Sequence, residues 1–504
     1  MAEERSSGRL PFPGAFAFVG SGSLLVLEIV AGRILAPDVG VSLYTWTSVI
    51  GVVLAGLSLG NWLGGKIADR WPGRSMLSLL YLLAAFCSAL ILLFARDLHA
   101  VDAPASWTAI LQVLWLTTLV FFLPSVLLGT PTPMLVKLSL DSLDATGRVV
   151  GRIQAAATLG SIVGVFATGF LLISAFGTRP VVAGVAVALL LLAFLSHPLA
   201  SSPRSLAAAA GRRPHLAALV AGVVVAIVAF TAASKDECTR ESNYFCIRVA
   251  TNSEGLRELR LDLLIHSLYS PSQPDKLFYD YEKLYEQITK AAFDRHDRMT
   301  TFTIGGGAYS FPRYLDRFYP SHNVVAEIDP EVTDVARDYF GLKDSPGIEI
   351  IHNDARLVLR DRPKSERYDL VLGDAFNDIA VPYHLTTREF NELVASHLSP
   401  RGLYLTNVID GIDYDFLRSY LKTLRKTFPY VGLATVPGQP LEGERATVVV
   451  VSSFRPLPAV RNLYSYDLIK PFIEGGETVT LTDDHVPVDQ LLAPVYGDSL
   501  EEAH

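Results

Sequence analysis

From Phe16 to Thr231 long apolar runs alternate with short polar loops. The runs are Phe16 to Leu35, Tyr44 to Leu63, Leu77 to Phe94, Ile110 to Leu128, Ala155 to Ile173, Val181 to Leu195 and Leu216 to Thr231. Most approach the ~20 residues that carry a helix across a bilayer, and the sixth and seventh are shorter. The pattern predicts about seven membrane helices, give or take one. After Ser234 the apolar runs shorten and are separated by glycine turns and amphipathic stretches, the alternation of strand and helix that marks an α/β domain. The expected organisation is an α-helical polytopic membrane bundle over residues 1–234, a small β-region over 235–265 and a Rossmann-like domain over 266–504.

Composition agrees: half of the 504 residues (50%) are hydrophobic, and the excess lies before Ser234. The first run lacks a clear small-residue cleavage site and further spans follow it, which argues against a cleaved signal peptide. The even loops hold Lys66, Arg70, Arg74, Lys137, Arg148, Arg152, Arg204, Arg212 and Arg213, whereas the odd loops hold Arg33, Arg96 and Arg179. Basic residues stay on the cytoplasmic side, so the amino terminus is expected there. Seven spans would then place the C-terminal domain outside, and six would return it to the cytoplasm. Cys238 and Cys246, close together after the last run, suit a disulfide in an oxidising compartment, which favours the outside, although two free thiols remain open. GGKIADRWPGR (Gly64 to Arg74) resembles the cytoplasmic loop between helices two and three of major-facilitator transporters.

Polar positions within the runs include Glu28, Arg33, Asn61, Gln112 and Gln154. They are read as helix glue in preference to a transport path. Gly151, Gly160, Gly164 and Gly169 predict that the fifth span packs closely against a neighbour. Thr130 to Pro133 (TPTP) is expected to break or kink the fourth.

The chemistry is concentrated in TFTIGGGAYSFPRYLDRFYPSHNVVAEID, Thr301 to Asp329. A strand leads into Gly305, Gly306 and Gly307, and a second strand ends on Glu327. Glycines allow backbone to approach a ligand, and an acid at the next strand tip can accept both ribose hydroxyls. Two further strands end near Asp354, followed by Ala355, and at Asp374. Three acids at the carboxyl ends of successive parallel strands suit adenosine. Glu327 would take the ribose, Asp354 and Ala355 the adenine, and Asp374 would face the reactive end.

In order, IGGGAYSFPRYL, VVAEIDPEV, EIIHNDARLVL and YDLVLGDAFND resemble the motifs of spermidine synthases, the polyamine aminopropyltransferases. LDLLIH and YDYEKLYEQI upstream, and HLTTREFNELVASHLSPRGLYLTN downstream, extend the resemblance over roughly residues 240–455. The chain as a whole resembles the membrane-fused spermidine synthase-like proteins. The resemblance implies a spermidine synthase/methyltransferase-type domain that transfers an aminopropyl group from decarboxylated S-adenosylmethionine to a diamine, with neither prosthetic group nor metal. It assigns Asp374 as general base, Gly305 to Gly307, Glu327, Asp354, Ala355 and His266 to the donor, and Tyr244, Tyr281, Asn377 and Asp378 to the acceptor, with Glu241 near Tyr244 at the mouth.

Three positions depart from the pattern. Ala308 stands where the soluble enzymes carry an aspartate for the donor's amine, Asn377 replaces a second aspartate, and His266 replaces a glutamine. Methyl transfer from S-adenosylmethionine, or a non-catalytic polyamine- or nucleoside-binding domain coupled to a transporting bundle, are therefore the alternatives. The expected partners are a polyamine and the bilayer, and a homodimer is an open option. A net charge of −8 speaks against nucleic acid and against a polybasic membrane patch. Asp483, Asp484 and His485 lack a partner at metal-ligand spacing and are read as capping or surface residues.

Overall fold

The computed structural model describes residues 10, 12–39, 42–94, 109–140, 142–198, 222, 238–262, 264–375, 381–411, 413–436, 438 and 445–493. The chain divides into two compact units, with the boundary between Glu237 and Cys238.

Among the described residues of the first unit, six helices are long and apolar enough to cross a membrane: Pro13–Ala36, Leu43–Arg70, Arg74–Phe94, Ile110–Ser139, Leu143–Leu172 and Thr178–Ser196. The seventh run, Leu216 to Thr231, lies outside the described residues. Large apolar side chains stand exposed on these helices, among them Leu54, Trp62, Phe166 and Phe170, a surface that lipid rather than water satisfies. The fourth helix runs past Leu128 and is interrupted at Thr130, where a tighter bond from the Thr130 N–H to Leu127 O precedes Pro131. The fifth begins well before the expected Ala155, because Thr146 to Gln154 is helical though too polar to read as a span. Gly160 and Gly164 meet the backbone of Phe18 and Gly22 on the first helix, so a side chain there would drive the two apart. Gly151 and Gly169 face open space and take no part in that contact.

The second unit contains two sheets. Strands β1 (Arg240–Glu241), β2 (Cys246–Thr251), β3 (Arg257–Leu261) and β4 (Leu264–Tyr269) form an antiparallel sheet. It extends past residue 265, so His266 lies on β4 rather than in the larger sheet. A disulfide joins Cys238 to Cys246.

The larger sheet has eight strands. Its parallel part is built from β5 (Met299–Ile304), β6 (Ser321–Glu327), β7 (Ile348–His352), β8 (Tyr368–Gly373) and β9 (Leu398–Asp410), and β10 (Tyr430–Thr435), β11 (Ala446–Ser453) and β12 (Leu463–Ser465) complete it. The order is β12-β10-β11-β9-β8-β5-β6-β7. Every pairing from β9 to β7 is parallel, and β9 to β12 are joined antiparallel. β5 and β11 are built mostly from β-branched or apolar residues, which suits strands covered on both faces. One face packs on α1 (Asp280–Ala292) and α2 (Ser310–Phe318) through Tyr285, Ile288, Phe311 and Leu315. The other packs on α4 (Ala355–Asp361), α5 (Arg388–His397) and α6 (Asp415–Thr427) through Leu359, Phe390, Leu417 and Leu421. Between them α3 (Pro330–Tyr339) starts cleanly because Asp329 caps it and Pro330 occupies its first turn.

The chain leaves β5 toward β6 and β7, then returns to place β8 on the other side of β5. That reversal opens a crevice at the carboxyl ends of β5 and β8, the position where doubly wound sheets bind ligands.

Candidate active site

The crevice is floored by the glycine turn. Gly305 has φ +87° and Gly307 φ +51°, conformations open to glycine at little cost. A side chain on Gly305 would press on the carbonyl of Asp374, whose own N–H donates to Ile304 O at 3.0 Å. The turn after β5 and the tip of β8 are thus locked together, which sets Asp374 beside the glycines.

Glu327 closes the floor from β6. One carboxylate oxygen accepts the N–H of Gly306 at 2.6 Å and of Gly307 at 3.4 Å, and the other accepts the N–H of Asp329 at 2.9 Å. Burial pushes its pKa up, and these backbone donors pull against the rise. Glu327 therefore shapes the turn, and it lines the crevice. Asp354 and Ala355 line the same crevice after β7. Asp354 is committed twice, to the N–H of Leu357 as the cap of α4 and to His384 Nε2 at 2.7 Å. Burial alone would raise its carboxyl, but His384 and the Leu357 N–H hold it below the ordinary value.

Asp374 sits at the centre. Its Oδ1 accepts from Asn407 Nδ2 at 3.0 Å and its Oδ2 from the Tyr281 hydroxyl at 3.2 Å. Burial lifts its pKa to about 6, against the pull of Asn407, Tyr281 and the nearby His266. A carboxylate poised just below neutrality, oriented by two neutral donors, is equipped to accept a proton.

The crevice gathers Tyr244, His266, Tyr281, Gly305, Gly306, Gly307, Glu327, Asp354, Ala355 and Asp374 on one wall system. Glu241 is not among its lining residues. Asn377 and Asp378 fall outside the described residues. Ala308 is fully buried in an apolar cluster with Phe245, Leu259 and Val335, so no polar group occupies that place. Asp483 is held by Arg356 in a two-pronged ion pair and by the Thr387 hydroxyl.

Several lining residues escaped the sequence reading. Asn407 lies within β9, level with Asp374 because the neighbouring Thr406 pairs with Gly373, so no strand-tip signal marks it. Tyr285 lies on α1 one helical turn after Tyr281, on the same face, and Glu282 lines the crevice from the adjoining position. His384 opens the HLTTREFNELVASHLSPRGLYLTN motif, but the resemblance assigns it no role.

No family model matches the chain. Among curated proteins it is 33% identical over 142 residues to the polyamine aminopropyltransferase of Vibrio vulnificus, an alignment covering 28% of this chain and 46% of that protein. The polyamine aminopropyltransferase of Corynebacterium efficiens is 27% identical over 366 residues, covering 66% of this chain and 64% of that protein. This second alignment is longer than the stretch from Cys238 to His504, so it reaches into the helical unit. In both cases the chain spans less than two thirds of the relative's own length. A solved structure, a probable spermidine synthase from Corynebacterium glutamicum, matches with a TM-score of 0.42 and 23% identity, over 47% of this chain and 93% of that one. The chain thus bears a distant and partial similarity to polyamine aminopropyltransferases, alongside six candidate membrane helices.

Proposed function

We propose that this protein is a membrane-anchored transferase that moves an aminopropyl group from decarboxylated S-adenosylmethionine to a diamine such as putrescine. The observation that carries the reading is Asp374: a carboxylate with a raised pKa, oriented by Tyr281 and Asn407 at the switch point of the sheet, beside a glycine turn pinned by Glu327. The glycine turn would let the nucleoside approach the backbone, Glu327 would hold the ribose, and Asp354 and Ala355 would flank the adenine. His266 would lie along the donor's tail, with Tyr244, Tyr281, Asn377 and Asp378 around the acceptor.

The acceptor nitrogen would attack the carbon next to the sulfonium in line. The C–N bond forms as the C–S bond breaks, methylthioadenosine leaves, and the surplus proton passes to Asp374. The sulfonium supplies the activation, so the protein's work is alignment and proton removal. The mature side for this unit is proposed to be extracytoplasmic, since a disulfide at Cys238–Cys246 persists in an oxidising compartment.

A second reading, methyl transfer from S-adenosylmethionine, is favoured by one observation. The apolar burial of Ala308 leaves no carboxylate at that position to select the decarboxylated donor. The deciding experiment incubates purified full-length protein with each donor and a panel of diamines, and follows methylthioadenosine and S-adenosylhomocysteine by mass spectrometry. Methylthioadenosine formed only with a diamine supports aminopropyl transfer. S-adenosylhomocysteine would establish the methyl reading, and neither product would leave a binding domain.

A further inference from the structure

The crevice holds a second carboxyl that the reaction as described does not use. Glu282, on the first turn of α1, is 3% exposed and lines the same pocket as Asp374. One of its oxygens accepts the N–H of Tyr279 at 3.3 Å, which closes the helix start as a capping box. A glutamine would cap equally well, so capping does not explain a buried charge. Burying an ionised carboxyl is costly unless it is paired, and among the described residues neither Glu282 nor Asp374 makes an ion pair.

The groups around Glu282 leave that demand open. Arg313 on α2 is the cation in its vicinity, but its Nε donates to Tyr309 O and its guanidinium lies over the Tyr269 ring at 5.1 Å. The Ser310 hydroxyl, in the same wall, hydrogen-bonds toward Glu282 but brings no counter-charge. Tyr281, next in the chain, already holds Asp374 Oδ2, and its ring meets Tyr285 edge to face and Tyr279 at a tilt along the wall. From β3, Arg260 is paired with Glu258, and from β4, His266 acts on Asp374. Two carboxyls without a counter-charge, a hydroxyl and aromatic rings form a lining that a small organic cation satisfies.

We infer that Glu282 and Asp374 together cradle a primary alkylammonium group, carried either by the donor's aminopropyl arm or by the diamine acceptor. This rests on the transferase reading of the same crevice and specifies how it selects cationic ligands. The titration behaviour agrees. Burial pushes Glu282 up to about 8, with the charge of Asp374 adding to the rise and the Tyr279 N–H, the Ser310 hydroxyl and Arg313 opposing it. Near pH 7 Glu282 is then mostly protonated while Asp374 is mostly ionised. An arriving ammonium restores the second charge and expels a proton, so binding tightens as pH rises toward about 8.

The test is calorimetry on the full-length protein in detergent, in two buffers of different ionisation enthalpy at pH 7. Decarboxylated S-adenosylmethionine and methylthioadenosine are compared as ligands that share the adenosyl group but differ in the amine. In a second arm, putrescine is titrated into protein saturated with methylthioadenosine. Glu282→Gln should leave methylthioadenosine affinity within about twofold, weaken one of the ammonium ligands by about 10–100-fold, and lower its proton release by about one. The arm that loses affinity names the source of the ammonium. Unchanged affinity and proton release in both arms would overturn the cradle. If methylthioadenosine fails to bind the wild type while putrescine binds and is lost in the variant, the cradle stands and the nucleoside reading falls. If the wild type releases no proton with either amine, the cradle is refuted without any variant.

Discussion

Asp374→Asn should make the protein less active and more stable at once. The asparagine can keep both contacts, with its oxygen toward Asn407 Nδ2 and its amide toward the Tyr281 hydroxyl, which can turn to accept. What disappears is a carboxyl whose folded pKa, about 6, lies above its ordinary 3.8. The folded state therefore holds a proton that the unfolded chain has released. Wild-type stability is full below the ordinary value and is lost as pH rises through about 6. Two units at ~1.36 kcal/mol each set an upper bound of about 3 kcal/mol on what asparagine regains above pH 7, less whatever solvent entering the crevice screens. Hydrogen exchange of the β5, β8 and β9 peptides in full-length protein reads this directly. Protection in the variant should match wild type near pH 4 and exceed it increasingly toward pH 7. Transferase turnover should fall by about 10²–10⁴, the worth of a general base. A variant that is less protected at pH 7, or one that keeps most of its turnover, would refute the assignment of a strained, catalytic carboxylate.

Glu327→Ala should weaken methylthioadenosine binding by about 1.5–3 kcal/mol in calorimetry and also loosen the glycine turn, since three N–H groups lose their acceptor. Unchanged affinity in a folded variant would remove Glu327 from the ribose. Gly305→Ala should lower protection of the β8 peptide and abolish nucleoside binding, because the new methyl meets the Asp374 carbonyl at positive φ. A cysteine introduced at the exposed Glu254 should react with an impermeant maleimide on intact cells. Reaction only after lysis would put the unit in the cytoplasm.

Much of the site was readable because it obeys local rules. Glycines at positive φ, acids at strand tips and a proline after a capping aspartate all declare themselves within a few residues. Glu282 did not, because in sequence it is one more polar residue on an amphipathic helix, and only the packing of α1 over β8 turns it toward Asp374. His384 reaches Asp354 across 30 positions, and Asn407 reaches Asp374 across 33, distances over which no periodicity carries information. The fifth membrane helix shows the converse: its polar first turns are helical because of chain continuity, which a hydropathy reading ends too soon.

The disulfide at the start of the C-terminal unit has a mechanical consequence. The helical unit precedes Cys238 in the chain, so tension on that tether enters the C-terminal unit there. The covalent bridge hands the load directly to Cys246 on β2, where it is borne in shear by the β2–β3 ladder from Ile247 to Thr251. The loop between the two cysteines is bypassed. That loop carries Ser242, which hydrogen-bonds Asp329, and Tyr244 and Phe245, which line the crevice. Pulling or jostling transmitted along the chain therefore reaches a sheet strand before it reaches the wall of the binding site.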